Sequence, residues 1–191
     1  MTNNETAKWI GTNGHADETL HVHFDIDRTP YPGYHIASVE PIASRFGPAV
    51  LTTNDYKREE IEVVSVLPTS TTCPLVAGSV YERLLDEGAD IEMHPTTIRC
   101  RDGETNRFYF ARPMNLVDCI DLEHSQYDLN KYTKKIYDID KLMLSDDCLG
   151  SRSIVRDRLA DFVLVSDVLM NDVCKIIGGS EPFVKAEDFK L

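Results

Sequence analysis

Basic residues are scarce in this chain. It carries 20 Lys and Arg against 32 Asp and Glu, a formal net charge of −12, so sequence-independent binding to nucleic acid or to an anionic membrane is electrostatically unfavourable. Paired cysteines are also missing. Cys73, Cys100, Cys119, Cys148 and Cys174 are odd in number, dispersed and without a Cys-x-x-Cys spacing, which argues against a zinc ribbon or a disulfide scaffold. No stretch approaches the roughly 18 apolar residues of a membrane span, and Met1 to Asp17 lacks the basic start and apolar run of a signal peptide. The simplest expectation is a reduced, cytoplasmic protein. Gly-x-Gly-x-x-Gly, the phosphate-binding loop, Gly-x-Ser-x-Gly and His-Glu-x-x-His are all absent, which disfavours an ordinary nucleotide enzyme, an α/β-hydrolase or a zincin and gives no reason to expect a cofactor.

What is present is an ordinary globular composition, 42% hydrophobic and 27% charged over 191 residues, enough to bury one full core. No low-complexity linker divides it. The expected organisation is a flexible N-terminal arm over 1–17, followed by a single α+β domain over 18–191. Leu20 to Asp27 alternates as a strand, with Leu20, Val22, Phe24 and Ile26 on one face and His21, His23, Asp25 and Asp27 on the other. Glu59 to Leu67 is rich in β-branched residues and reads as a strand. Thr96 to Cys100 and Arg107 to Met114 are strands joined by a loop with the Asp102-Gly103 hairpin signal, in a connection longer than two residues.

Two stretches follow one plan of short apolar strand, serine cap, amphipathic helix and terminal glycine. They are Pro74 to Gly88, capped at Ser79 with Glu82 three residues on, and Phe162 to Gly178, capped at Ser166. Between them Asn115 is placed to cap a short helical turn, with Asp118 three residues later, and Ile136 to Leu144 reads as a strand. The fold class expected is α+β, a mixed, largely antiparallel sheet with a few short helices.

Three groups of residues invite a chemical reading. His21, His23, Asp25 and Asp27 would project from one strand face about 6–7 Å apart, and imidazoles with carboxylates are good ligands for a divalent metal; a solvated polar face needs no metal. Cys119 lies near His124 in sequence, which suggests a thiolate and an imidazole, but five positions is the wrong separation for one helix face and cysteine is commonly a small buried hydrophobe. Asp118, Asp121, Glu123, Asp128, Asp138, Asp140, Asp146 and Asp147 make one part of the chain locally negative, a surface able to steer a basic protein partner or simply to stay solvated.

Asn115-Leu-Val-Asp-Cys-Ile-Asp-Leu-Glu-His-Ser-Gln-Tyr127 resembles a segment of the immunity-protein-eleven-like family. So do Ile136-Tyr-Asp-Ile-Asp-Lys-Leu-Met-Leu144, Phe162-Val-Leu-Val-Ser-Asp-Val-Leu169 and the helix entry Pro74-Leu-Val-Ala-Gly-Ser-Val-Tyr-Glu-Arg-Leu-Leu85, so that the family-like part runs over about 75–191. The chain departs from the family pattern at Ile154-Val-Arg156, where members often have Phe-Arg-Leu, and in the terminal Gly-Ser-Glu-Pro-Phe stretch. The resemblance implies a non-enzymatic immunity protein of a bacterial polymorphic-toxin system, whose partner is a cognate toxin or effector protein, with no nucleic acid and no membrane involved. It supplies no catalytic residues. The acidic residues named above are then the expected partner-binding set, and the alternative is a metal- or thiol-dependent enzyme using the His21, His23 and Asp25 face or Cys119.

Overall fold

The computed structural model describes residues 6–9, 20–178 and 183–185. Thr6–Trp9 form β1, and the rest of the segment expected as an arm lies outside the described residues. Then come β2 (His23–Phe24), α1 (Tyr34–Ala37), β3 (Ala49–Thr52), α2 (Arg58–Glu62), β4 (Val66–Leu67) and β5 (Leu75–Val76). Next are α3 (Gly78–Leu85), β6 (Ile91–Cys100), β7 (Gly103–Thr105), β8 (Tyr109–Pro113) and β9 (Leu116–Val117). The chain continues through β10 (Gln126–Leu129), β11 (Ile136–Lys141), β12 (Ile154–Asp157), β13 (Val163–Ser166), α4 (Asp167–Ile177) and β14 (Phe183–Lys185). The class is α+β, as the patterning implies. No helix among the described residues is long and apolar enough to cross a membrane.

The strands form a first sheet in the order β2-β3-β6-β8-β5-β4 with β7 beside β6, a second in the order β14-β1-β13-β12-β9, and the separate hairpin β10-β11. Among the described residues β3 with β6 and β9 with β12 are the parallel pairs, and the other named strand pairs are antiparallel. Side chains alternate across a strand, and here both faces are covered. Leu75 and Phe110 enter one apolar cluster with Ile36, Leu51 and Ile61, while their neighbours Val76 and Ala111 enter a second with Val80, Leu84, Leu169 and Val173. Ile154, Val163 and Val165 of the second sheet join that same middle cluster, and Val155 and Leu164 turn into a third with Ile136, Ile139 and Leu142. Strands buried on both sides read as continuous apolar runs, which is why Phe162 to Val165 lacks alternation.

The two strand-helix stretches pack side by side. α3 lies on β6 and β8, α4 on β13 and β1, and the helices touch each other. Ser166 Oγ accepts the Leu169 amide at 3.4 Å and Gly178 closes α4 at φ +75°, in the left-handed region glycine tolerates best. At α3 the start differs from expectation. The helix begins at Gly78 with extended Ala77 before it, so Ser79 already lies inside the first turn.

Other local expectations yield to side-chain hydrogen bonds. Leu20 to Asp27 shrinks to β2 because the Asp25 carboxylate accepts the amides of Asp27 and Arg28, both at 3.1 Å, and turns the chain; Ile26 is then exposed. This is the usual competition between a short acidic side chain and a ladder. Glu59 to Leu67 splits into α2 and β4. The Lys57 amide donates to Glu60 at 2.7 Å, Glu59 and Glu60 occupy the first turn, and only Ile61 of α2 is buried. Asn115 caps no helix: its side-chain amide donates to Asp90 at 2.6 Å and the chain runs on as β9. The Asp102-Gly103 connection is tighter than expected, since Cys100 pairs with Gly103 across the two residues Arg101 and Asp102.

Two buried polar groups fix the segment that crosses the first sheet. Arg112 on β8 is fully buried; its guanidinium pairs with Glu92 and donates to the carbonyls of His35, Ile36, Ser38 and Glu40 at 2.7–3.1 Å. Glu92 in turn accepts the amides of Ile42 and Ala43 at 2.9 and 3.0 Å. Alongside, the Tyr31 hydroxyl lies 2.5 Å from His94 Nε2. Burial pushes the His94 imidazole down to about 4.

Breaking the first arrangement should be costly. Arg112→Met leaves Glu92 and four carbonyls without their donor and is expected to remove about 3–5 kcal/mol of stability, read as a lower urea midpoint with amide protection lost first over residues 31–43. The second gives a pH signature. Unfolded His94 binds a proton below about 6.5 that the folded imidazole refuses until about 4. Stability is therefore full above pH 6.5 and falls as pH drops towards 4, by roughly 3 kcal/mol. His94→Gln should flatten that limb in urea titrations run across the pH range.

Candidate partner-binding surface

The β10-β11 hairpin is held by its inner side. Ile136, Ile139 and Leu142 are buried in the third cluster, the Ile136 amide donates to Leu159 O at 2.9 Å, and Lys135 Nζ donates to Arg158 O at 2.6 Å and Asp161 at 2.9 Å. Its outer side is free of the core. Tyr132 at the tip is 95% exposed and Tyr137 61%, with Leu129 also exposed. Sequence patterning alone overlooks these three. The available signal is aromatic residues in an otherwise charged hairpin, a composition typical of contact surfaces.

The acidic residues divide by what the fold does with them. Asp118 pairs with Arg158 at 3.0 Å, and Asp121 accepts His124 Nδ1 at 2.7 Å and the amides of Glu123 and His124. The hydrogen bond from His124 is the main reason the Asp121 carboxyl is held below the usual range. Both act in local structure. Asp128 and Asp138, ten positions apart in sequence, become direct cross-strand partners, and both are exposed. Like charges placed opposite each other oppose pairing, and neither has an ion pair among the described residues. Asp140 flanks them on β11. Glu123 lies in the turn before β10, and Asp146 and Asp147 lie in the turn after Leu144, where Asp147 adopts φ +54° and its carbonyl accepts the Gly150 amide.

The chemical alternatives are not assembled. His21 and His23 do meet, with ring centroids 4.6 Å apart, and burial followed by the neighbouring His23 lowers the His21 pKa. Asp25, however, is taken up by Arg28 at 2.8 Å and by the turn it caps. No group of three or more His, Cys, Asp and Glu able to hold a metal occurs among the described residues. Cys119 is fully buried. Its thiol neighbours Cys148, whose hydrogen bond together with burial pushes the Cys119 pKa up, the reverse of what a nucleophilic thiolate needs. His124 is exposed and engaged by Asp121.

The buried residue with a defined role in this region is one that sequence reasoning passes over. Asp157 at the end of β12 accepts the amides of Cys119, Leu159 and Ala160 at 2.8–3.0 Å. It thereby ties the start of the hairpin region to the second sheet.

Residues 82–185 match the Immunity protein family (Imm11), more than half of the chain. The chain belongs to that family. The Imm11 match starts inside α3 and ends with β14, so it takes in α4, the β10-β11 hairpin and the second sheet apart from β1, while β1 to β5 precede it. A comparison with curated proteins gives no match.

The Asp128 and Asp138 pairing in this Imm11 chain has a measurable consequence. Asp138→Lys converts a repulsive cross-strand pair into an attractive one and should raise stability by about 0.5 kcal/mol in urea unfolding. Asp140→Lys, which changes the same charge without a cross-strand acid opposite it, should gain less; equal gains would mean that the pair is uncoupled.

Proposed function

We propose that this Imm11 chain protects its host by binding a cognate toxin or effector protein and covering the toxin's active site or its route to substrate. Membership of an immunity family supports the class of activity, and the observation that carries the contact surface is the exposed Asp128 and Asp138 pair. An acidic pair with no ion-pair partner among the described residues is relieved when a partner lays a lysine or arginine between the two carboxylates. Around it Tyr132, Tyr137 and Leu129 supply apolar area of the kind that dominates interface energy. Asp140, Glu123, Asp146 and Asp147 extend the negative field, and such a field mainly accelerates encounter. Asp118 and Asp121 contribute charge from positions their internal partners already fix.

On this reading the partner is a basic protein surface, and the chain works in the cytoplasm by occlusion, without catalysis, cofactor, nucleic acid or membrane. Formal charge favours the same choice.

Co-expression with the toxin encoded beside this gene tests the proposal. The wild-type chain should protect the cell and copurify with the toxin, with an affinity that weakens as salt rises. Asp128→Lys with Asp138→Lys should weaken binding about tenfold or more, in line with the coupling of close interfacial charge pairs. Absence of both protection and copurification would overturn the reading.

A further inference from the structure

A second surface lies away from the hairpin. Tyr81 and Leu85 of α3, Ile91 and Met93 of β6, Pro41 and Met114 line an open groove of about 500 Å³, with Glu92 in its wall. We infer that this groove docks a protein segment presenting a large apolar side chain flanked by lysine or arginine. The inference deepens the immunity reading, because the toxin is the partner expected to carry that segment.

The groove's own residues say why it is apolar and unfilled. α3 buries Val80 and Leu84 in the middle cluster, which is the stripe its amphipathic pattern requires. Leu85 falls outside that stripe and is 47% exposed. Tyr81 stacks on Tyr109 with ring centroids 4.3 Å apart, so one wall is already ordered. Met93 and Met114 bring flexible, polarizable thioethers, which adapt to an incoming side chain better than branched residues do.

The polar groups then select the occupant. Glu92 has its carboxylate occupied by Arg112 and the amides of Ile42 and Ala43, so it has little left with which to orient a small polar ligand. On the next row of α3, Glu82 and Asp86 are both exposed, four positions apart, where like charges repel along a helix. Neither is ion-paired among the described residues, because the nearby Arg83 is engaged by Glu87 at 2.6 Å and Asp172 at 3.1 Å. Glu40, next in sequence to the lining residue Pro41, is also exposed and pairs with Arg45 at 3.5 Å. An apolar trough whose lining residues Pro41, Tyr81 and Leu85 each have an exposed acid next to them in sequence (Glu40, Glu82 and Asp86) disfavours an anionic lipid surface and a nucleic acid. A second copy of this chain, itself at −12, is a poor fit on the same ground. A basic and apolar protein segment satisfies both features at once.

The test uses the full chain labelled with ¹³C at the methionine methyls and two synthetic probes, one peptide alternating leucine or phenylalanine with lysine and a second with glutamate in place of lysine. The lysine peptide should shift the Met93 and Met114 methyl resonances and leave Met143 and Met170 in place, and the glutamate peptide should shift none. Glu82→Lys with Asp86→Lys should weaken the lysine peptide about tenfold, Leu85→Asp should weaken it similarly, and Asp128→Lys with Asp138→Lys should leave it unchanged. All of these positions are on the surface, so an unchanged urea midpoint shows that the groove variants remain folded. Shifts at Met143 and Met170 as large as those at Met93 and Met114, equal shifts with both peptides, or full affinity after charge reversal on α3 would each overturn the inference. Toxin protection is scored separately. Loss of protection with intact peptide binding would remove the immunity reading and keep the groove, and protection with no groove response would do the reverse.

Discussion

Arg112 is the constraint on which the first half of the molecule depends. A fully buried guanidinium is expensive to desolvate, and it is tolerable only where nearly all of its donors are used. Here Glu92 supplies the opposite charge and four carbonyls from a single crossing segment supply the rest. Those carbonyls belong to residues 35–40, which take in most of the one-turn α1, too short to be stable alone. The order of cause is therefore clear. The sheet holds Arg112, Arg112 holds the segment, and the segment brings Pro41 to the groove and lays Ile36 and Ile42 over the first cluster.

The second half uses a different device. Ile154, Val155, Val163, Leu164 and Val165 are apolar on both faces, so β12 and β13 serve two clusters at once and cannot shift register without exposing one of them. Arg156 sits among them, nearly excluded from solvent, with Asp161 Oδ1 3.9 Å from its Nε. Asp161 also receives Lys135 from the hairpin loop. Asp157, one residue on, receives three amides. Rigidity at the inner side of the hairpin is thus a product of the sheet, and it permits exposed residues on the outer side to be chosen for something other than folding.

Where sequence reasoning succeeds and where it fails follows from the range of the interactions involved. Phe162 to Gly178 was legible because every signal in it is local: an apolar run, a serine acceptor three residues before an amide, and a glycine at φ +75°. The family match covers the same ground, and the motifs at Asn115 to Tyr127 and Ile136 to Leu144 fall inside it. Propensity misled at Glu59 to Leu67, where the valines suggested a strand but Val63 is 79% exposed and the charged turn before it settles as α2. It misled again at Asp25, where an acceptor two residues from an amide outcompeted alternation. The acidic set was visible as composition, yet the feature that distinguishes Asp128 and Asp138 is a register, and register depends on the turn and the buried isoleucines behind it. The groove draws on residues from 41 to 114, and no local pattern announces it.

The two exposed surfaces share one energetic logic. On the hairpin, like charges face each other across strands; on α3, like charges sit four apart on a helix. Each arrangement costs only a few tenths of a kcal/mol to about 1 kcal/mol in the free protein, small against a typical stability of 5–15 kcal/mol. A fold can carry both without losing its shape. On the proposed reading the gain comes when a partner's cation arrives, since the repulsion is then removed and an attraction added in the same step, with Tyr132, Tyr137, Leu85 and the methionines there to exclude water from it. Charge alone would give speed and little selectivity, because any basic surface is attracted. Apolar area alone would promote association among copies of the chain itself. On the proposed reading, carboxylates set beside apolar contact area at two separate places would require a partner to match spacing as well as sign, which would discriminate a cognate protein from the many other basic surfaces in a cell.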